Sequence, residues 1–138
     1  MVKVGVHITL DILGTAKEYS QSFYEKLIYK IAKAAKVEVL NISRHKFEPQ
    51  GFTMVALLAE SHMSFHTFPE KKVISFDFFT CGKTSPLVAL NIIKREIQHS
   101  RIVVKRSDRN NVSFYDDIYS SPGQKKYYVV NEIGRAHV

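Results

Sequence analysis

The amino-acid sequence predicts an α+β two-layer sandwich, in which a mainly antiparallel sheet carries two helices on one face. Apolar residues alternate strictly near the start of the chain, two segments repeat apolar residues at helical spacing, and three strand-like segments follow one another in the middle. A chain of 138 residues fits one compact domain, so we expect residues 1–138 to form a single domain.

The strand predictions rest on period-two alternation and on runs of β-favouring residues. Residues 52–59 are so uniformly apolar that we expect a central strand covered on both sides. The next predicted strand, residues 61–68, ends at Pro69. The predicted strands cover residues 2–10, 37–42, 52–59, 61–68, 73–79 and 102–105.

Each predicted helix begins with a capping signal. Thr15 and Glu18 have the spacing of a capping box, and the apolar pattern that follows predicts a helix to about Lys36. Ser85 before Pro86 predicts the start of the second helix. With both helices on one side, the other face of the sheet keeps apolar residues, and we expect a second copy of the chain to cover it.

Composition excludes several classes of protein. No run approaches the roughly 18 apolar residues of a membrane span, and the first residues lack the features of a secretory signal, so we expect a cytoplasmic protein with no membrane partner. The single cysteine, Cys81, excludes an internal disulfide and any multi-cysteine metal site. The net charge is +7, but the basic residues form only short clusters typical of a solvated face, so we expect no nucleic-acid partner.

Residues 59–70 form the chemically unusual segment, because two histidines, three hydroxyls and two carboxylates stand between apolar strands. The next predicted strand leads to Cys81. In a hairpin closed near residues 69–72, its thiol would lie close to Ser61 or His62. A hydroxyl, an imidazole and a thiol are therefore expected to converge.

This pattern resembles the signature of the prokaryotic S-adenosylmethionine decarboxylases, which make a pyruvoyl cofactor from their own chain. The resemblance covers roughly residues 3–82. The residues that carry it are Gly5, His7, His45, Phe47, Pro49, Gly51, Glu60, Ser61, His62, the run from Ser64 to Glu70, and Phe79, Thr80, Cys81 and Gly82.

The resemblance implies self-cleavage between Glu60 and Ser61. Ser61 would attack the carbonyl carbon of Glu60, and elimination would leave a first chain of residues 1–60 and a second chain of residues 61–138 that begins with the pyruvoyl group. By likeness to the family, His66 is the base for the Ser61 α-proton. Thr53, where relatives usually carry Ser, is the hydroxyl that assists the acyl shift.

The resemblance also implies the chemistry of decarboxylation. The pyruvoyl carbonyl would form a Schiff base with the substrate amine and accept the electrons that CO₂ leaves behind, so neither an external cofactor nor a metal is expected. Cys81 resembles the general acid that returns a proton to the α-carbon. The family builds each active site where two protomers meet, which implies a homodimer of processed protomers.

The resemblance also implies that five residues bind the substrate. Phe47 and Phe68 resemble the aromatic pair that flanks adenine, although relatives generally have Trp at the position of Phe68. Glu70 resembles the carboxylate that binds the ribose hydroxyls. Asp11 stands where a Glu is usual, and His7 matches a family position on the first strand.

Three alternatives remain open at this stage. The same pyruvoyl machinery could decarboxylate arginine or ornithine, since Phe68 and Asp11 depart from the family pattern. A small basic RNA-binding domain would use its aromatic residues for stacking and would remain uncleaved. A hydrolase with Cys81 and His66 would also remain one chain and would react with thiol alkylators.

A zinc site is a weaker reading of the same segment. His62, His66 and Glu70 are residue types that bind zinc, but no standard ligand spacing supports such a site. We therefore expect no metal.

Overall fold

The computed structural model describes residues 4–81 and 84–109, together with the backbone of four short strands between residues 117 and 137. Gly82 of the family signature and Val2 and Lys3 of the first predicted strand lie outside the described residues. Neither helix in the described part is both long enough and apolar enough to span a membrane.

The main sheet has six strands in the order β2-β3-β4-β5-β1-β6, and every neighbouring pair is antiparallel. Two small two-stranded sheets pair β7 with β8 and β9 with β10. The elements of the main layer are β1 Gly5–Leu13, α1 Gln21–Ala35, β2 Val39–Lys46, β3 Phe52–Leu58, β4 Ser61–Phe68, a 3-10 helix Pro69–Lys71, β5 Val73–Thr80, α2 Val88–Glu96 and β6 Arg101–Arg109. The four short strands are β7 Asp117–Ser121, β8 Gln124–Tyr127, β9 Val129–Val130 and β10 Ala136–His137.

Both helices cover the same face of the sheet, here called the inner face. Alternate residues of β1, β3, β4 and β5 join the buried residues of α1 and α2 in one core, as the two-layer prediction requires. The central strands contribute Ile8, Leu10, Met54, Phe65 and Phe76, all with no exposed surface. The fold class predicted from the sequence is confirmed.

The opposite face is here called the outer face, and no helix or strand among residues 4–81 and 84–109 covers it. We expected β3 to be covered on both sides or nearly so, and for the single chain this is wrong, since the residues of β3 alternate between buried and partly or fully exposed. Val55 and Leu57 are 42% and 54% exposed on the outer face. Their apolar character predicted burial, but the described part of the chain contains no element that buries them.

Helix α1 begins later than its predicted capping box. Its N-cap is Ser20, whose Oγ accepts a hydrogen bond from the Phe23 amide at 3.1 Å. The predicted cap failed because other contacts use the nearby amides: Thr15 donates its backbone N–H to the Lys72 carbonyl, and Ala16 donates to Gln98. The predicted end is right, since α1 stops at Ala35 before a left-handed residue.

Helix α2 and two strands also shift from their predicted bounds. Ser85 accepts a hydrogen bond from the Leu87 amide, but the helix begins at Val88. Strands β2 and β6 run four residues further than predicted, to Lys46 and Arg109. These extensions are rich in charged residues, so their apolar pattern does not predict a strand. They are strands because their backbones pair with β3 and β1.

Candidate active site

The segment between β3 and β4 combines a strained residue with a buried hydroxyl. Leu58 pairs with Ser61 across a turn of two residues, Ala59 and Glu60. Glu60 has a φ of 59°, in the left-handed region that costs a non-glycine residue about 1–2 kcal/mol. Ser61 is 5% exposed, and its Oγ is enclosed without a hydrogen-bond partner among the described residues. This oxygen is therefore adjacent to the Glu60 carbonyl and not engaged elsewhere.

Cys81 lies at the same end of the sheet as this turn. Because β4 and β5 are antiparallel with His62 opposite Phe79, the residues that precede His62 face those that follow Phe79. Glu60 and Cys81 accordingly line one cavity of about 300 Å³. The structure thus brings the single thiol to the predicted cleavage point, at the end of β5.

Aromatic and imidazole rings surround Phe79 on the outer face beside this end. His62 stacks on Phe79 with ring centroids 5.6 Å apart, and His7 contacts its edge at 6.4 Å. The Arg109 guanidinium lies 5.6 Å from the same ring centroid. The Phe79 ring also covers Gly5, where an added Cβ would approach a ring carbon to 2.5 Å. A side chain at Gly5 would displace the ring.

Asp77 holds two polar side chains on the outer face. His7 Nε2 lies 3.1 Å from Asp77 Oδ1, and Ser64 Oγ donates to Asp77 Oδ2 at 3.5 Å. Sequence reasoning did not select Asp77, although it is the only charged residue of β5. That isolated charge, at an outer-face position of an apolar strand, was the available signal.

Thr53 and His66 form a hydrogen-bonded pair further along the outer face. They are opposite each other in the register of β3 and β4, and Thr53 Oγ1 lies 2.9 Å from His66 Nδ1. His66 is opposite Ser75 on β5, and Ser75 is opposite Asp11 on β1. These four residues therefore form one row across the sheet.

The residues predicted to hold a nucleoside lie at the far end of the sheet from Ser61. Phe47 and Phe68 are 47% and 37% exposed, and His45 contacts the Phe47 ring at 4.8 Å. Glu70 follows in the 3-10 helix and accepts a hydrogen bond from the Gln50 amide at 3.4 Å. These exposed aromatic faces and the carboxylate are available to a ligand.

The predicted site residues thus fall into two groups. The cleavage group is Glu60, Ser61, His62, Cys81 and His7. The binding group is Thr53, His66, Asp11, Phe47, Phe68 and Glu70. His66 is five positions after Ser61 on β4, which is roughly 17 Å at the rise of an antiparallel strand. One chain does not bring these two groups together.

The zinc reading finds no support in the geometry. The described residues contain no group of three or more metal-binding side chains close enough to hold an ion. His62 and His66 are four positions apart on β4 and belong to different rows of the sheet.

The chain is similar in sequence to proteins of one family. The family described as S-adenosylmethionine decarboxylase matches residues 6–110. A protein of Prochlorococcus marinus (strain MIT 9313), named S-adenosylmethionine decarboxylase proenzyme, is 39% identical over 109 residues, covering 77% of this chain and 87% of the relative. A proenzyme of the same name from Parasynechococcus marenigrum is 36% identical over 124 residues, covering 88% of this chain and 97% of the relative.

A solved structure shows the same architecture. The crystal structure of the adenosylmethionine decarboxylase from Aquifex aeolicus superposes with a TM-score of 0.70 at 27% sequence identity. The match covers 88% of this chain and 98% of that one. The similarity therefore extends over nearly the whole of the solved chain.

Proposed function

Because the chain belongs to the S-adenosylmethionine decarboxylase family, we propose that it releases CO₂ from S-adenosylmethionine with a pyruvoyl group made from its own Ser61. The observation that carries this proposal is the left-handed Glu60 next to the enclosed, unpartnered Ser61 Oγ. The relatives named above are proenzymes of S-adenosylmethionine decarboxylase, so they lend no support to arginine or ornithine as the substrate. The product would supply aminopropyl groups for spermidine synthesis.

The pyruvoyl group would arise in three stages. Ser61 Oγ forms an ester bond to the Glu60 carbonyl carbon while the bond from that carbon to the Ser61 nitrogen breaks, and the hydroxyl proton ends on that nitrogen. A base then removes the Ser61 α-proton, the bond between Cβ and Oγ breaks, and Glu60 leaves as a carboxylate. The resulting dehydroalanine isomerises to an imine. Water then adds to the imine carbon, the nitrogen leaves as ammonia, and the pyruvoyl carbonyl remains. The strained turn at Glu60 favours the first stage because cleavage relieves it.

The base for the α-proton would come from a second copy of the chain. His66 is the candidate, with Thr53 hydrogen-bonded to its ring, but it lies roughly 17 Å along β4 from Ser61 of the same chain. A two-fold arrangement of two outer faces would place the cleavage group of one protomer against the binding group of the other. Each site would then use residues of both chains.

The outer face has the composition expected of such an interface. Val55 and Leu57 expose apolar surface on β3, between the two groups of site residues. A single exposed apolar residue needs no partner. Val55 and Leu57, however, lie next to each other on the outer face and beside the two separated groups of site residues, so we infer that a second copy of the chain covers them. Sedimentation at micromolar concentration should therefore show a homodimer.

Mixed dimers test whether the base acts between chains. Ser61→Ala and His66→Ala chains, carrying different tags, are co-expressed and the mixed dimer is isolated. In that dimer the Ser61→Ala chain supplies an intact His66 to the Ser61 of the other chain, so we expect the His66→Ala chain to be cleaved. Each variant expressed alone should stay uncleaved. A His66→Ala chain that stays whole in the mixed dimer would show that the partner does not supply the base.

In the processed enzyme, the pyruvoyl group supplies a carbonyl that accepts the electrons left by CO₂. This chain must then return one proton to the substrate α-carbon. Cys81 lines the cavity beside position 61, where its S–H group is available as a proton donor. We therefore assign that proton to the Cys81 thiol.

The binding group would hold the nucleoside end of the substrate. Phe47 and Phe68 expose faces that can stack on adenine, and the sulfonium cation gains roughly 0.5–2 kcal/mol beside an aromatic ring. Glu70 would accept hydrogen bonds from the ribose hydroxyls. Asp11 shares a row with His66, while the partly buried His7, fixed by Asp77, would face the substrate at the cleavage end.

Substrate choice can be measured directly by comparing release of labelled CO₂ from S-adenosylmethionine, arginine and ornithine. We expect S-adenosylmethionine to react fastest. Phe68→Ala should raise its KM about tenfold with little change in kcat, because stacking of one base contributes roughly 1–3 kcal/mol. The exposed Tyr29→Ala is the matched control, since Tyr29 lies on α1 away from the site. Faster turnover of an amino acid without a nucleoside, unchanged by Phe68→Ala, would refute the nucleoside assignment.

A further inference from the structure

A second cavity, here called the helix-side cavity, lies between the segment that precedes α1 and the β2–β3 end of the sheet. Its volume is about 260 Å³, enough for a small molecule with one ring. The inner-face side chains of Phe52 and Ile74 belong to its lining, so part of its wall is apolar. Among the described residues, none that we assign to the candidate active site lines it. The cavity is therefore separate from the proposed site of decarboxylation.

Two buried hydroxyls line this cavity without partners. Thr15 is 7% exposed and Tyr24 is 2% exposed, and neither hydroxyl makes a hydrogen bond to a residue that the structure describes. In the described part of the chain, the Ser61 hydroxyl is the only fully enclosed side-chain group without a partner. The other two hydroxyls therefore have open space beside them, which the cavity provides. Because neither hydroxyl is engaged by a described residue, both are free to hydrogen-bond a ligand in the cavity.

The charges of the lining favour an anion. Lys17 and Lys46 contribute two ammonium groups against the single carboxylate of Glu18. The Lys17 ammonium lies 5.3 Å from the Tyr19 ring centroid, which keeps it beside the cavity wall. Burial raises the pKa of Tyr24, so its hydroxyl keeps its proton and can donate it in a hydrogen bond.

We propose that the helix-side cavity binds a small anion with a flat apolar body, such as an aryl phosphate or an aryl carboxylate. The anionic group accepts hydrogen bonds from the Thr15 and Tyr24 hydroxyls and lies near the two lysines. The ring lies on the side of the cavity where Phe52 and Ile74 contribute to the lining. No bond is made or broken in this site.

Calorimetric titration of the purified full-length protein with phenyl phosphate tests the proposal. Phenyl phosphate carries neither adenine nor ribose, so the nucleoside-binding residues have no reason to select it. We expect saturable binding of one molecule per chain, weaker binding of benzoate, and none of the neutral benzyl alcohol. Tyr24→Phe and Lys46→Gln should each weaken binding about fivefold, the effect of one lost hydrogen bond or charge contact.

Matched variants separate a ligand site from a structural role. Lys33→Gln changes an exposed lysine of α1 away from the cavity and should bind phenyl phosphate normally. Tyr24→Phe removes only an unpartnered oxygen, so its melting temperature without ligand should be unchanged or higher. If that variant does not fold, Thr15→Val makes the same test. Absence of saturable binding up to about 10 mM, or equal binding by wild type, Tyr24→Phe and Lys46→Gln, would overturn the proposal.

Discussion

Ser61→Ala is expected to remain a single chain and to release no CO₂ from S-adenosylmethionine. The substitution removes the oxygen that attacks Glu60 and the atoms from which the pyruvoyl group forms. The fold should survive, because the lost hydroxyl has no hydrogen-bond partner among the described residues and a methyl group fits the same space. Intact mass spectrometry and release of labelled CO₂ measure the two effects, and a melting curve checks the fold.

Ser22→Ala is the matched control, since Ser22 is an exposed serine on α1, away from the outer face. It should be cleaved and active like the wild type. A Ser61→Ala chain that is still cut after Glu60 would place the nucleophile elsewhere. An uncut Ser61→Ala chain with normal activity would remove the pyruvoyl group from the mechanism.

Cys81→Ala is expected to separate cleavage from catalysis. Cleavage between Glu60 and Ser61 should proceed, because the thiol takes no part in the acyl shift or the elimination. Turnover of S-adenosylmethionine should fall by about 10²–10⁴-fold, the usual contribution of a positioned general acid. Mass spectrometry and steady-state kinetics of the same sample measure both.

Cleavage and turnover of Cys81→Ala together distinguish a role of the thiol in decarboxylation from a role in processing. A cleaved Cys81→Ala enzyme with wild-type kcat would exclude the thiol as the proton donor. A variant that stays uncleaved while keeping its melting temperature would assign Cys81 to the processing step instead. The cavity shared by Glu60 and Cys81 is the reason that both steps must be measured.

Most of the fold could be predicted because strand periodicity is a local property. The alternation in β1 and the apolar stretches of β3 and β5 identified the sheet, and helical spacing identified α1 and α2. The start of α1 could not be predicted, because Thr15 and Ala16 use their amides in contacts with Lys72 and Gln98, far away in sequence. An uncovered apolar face was expected from two helices on one side of the sheet, but the uniformly apolar run of β3 did not indicate that Val55 and Leu57 lie on that face.

The residues of the candidate site could be selected from the sequence, but their contacts across the sheet could not. The signature around Ser61 and Cys81 selected side chains that the structure does bring to one end of the sheet. The distance from Ser61 to His66 was implicit in the sequence, because the two residues are five positions apart on one extended strand. Asp77 escaped notice because its partners, His7 and Ser64, lie on other strands.

Intact mass of the purified protein under denaturing conditions tests the central claim most directly. The account predicts two fragments, one of residues 1–60 and one of residues 61–138. The second should be lighter by one ammonia than a fragment that begins with an unmodified Ser61, and its N-terminus should resist Edman degradation. A single full-length chain that nevertheless decarboxylates S-adenosylmethionine, even after prolonged incubation, would contradict the account.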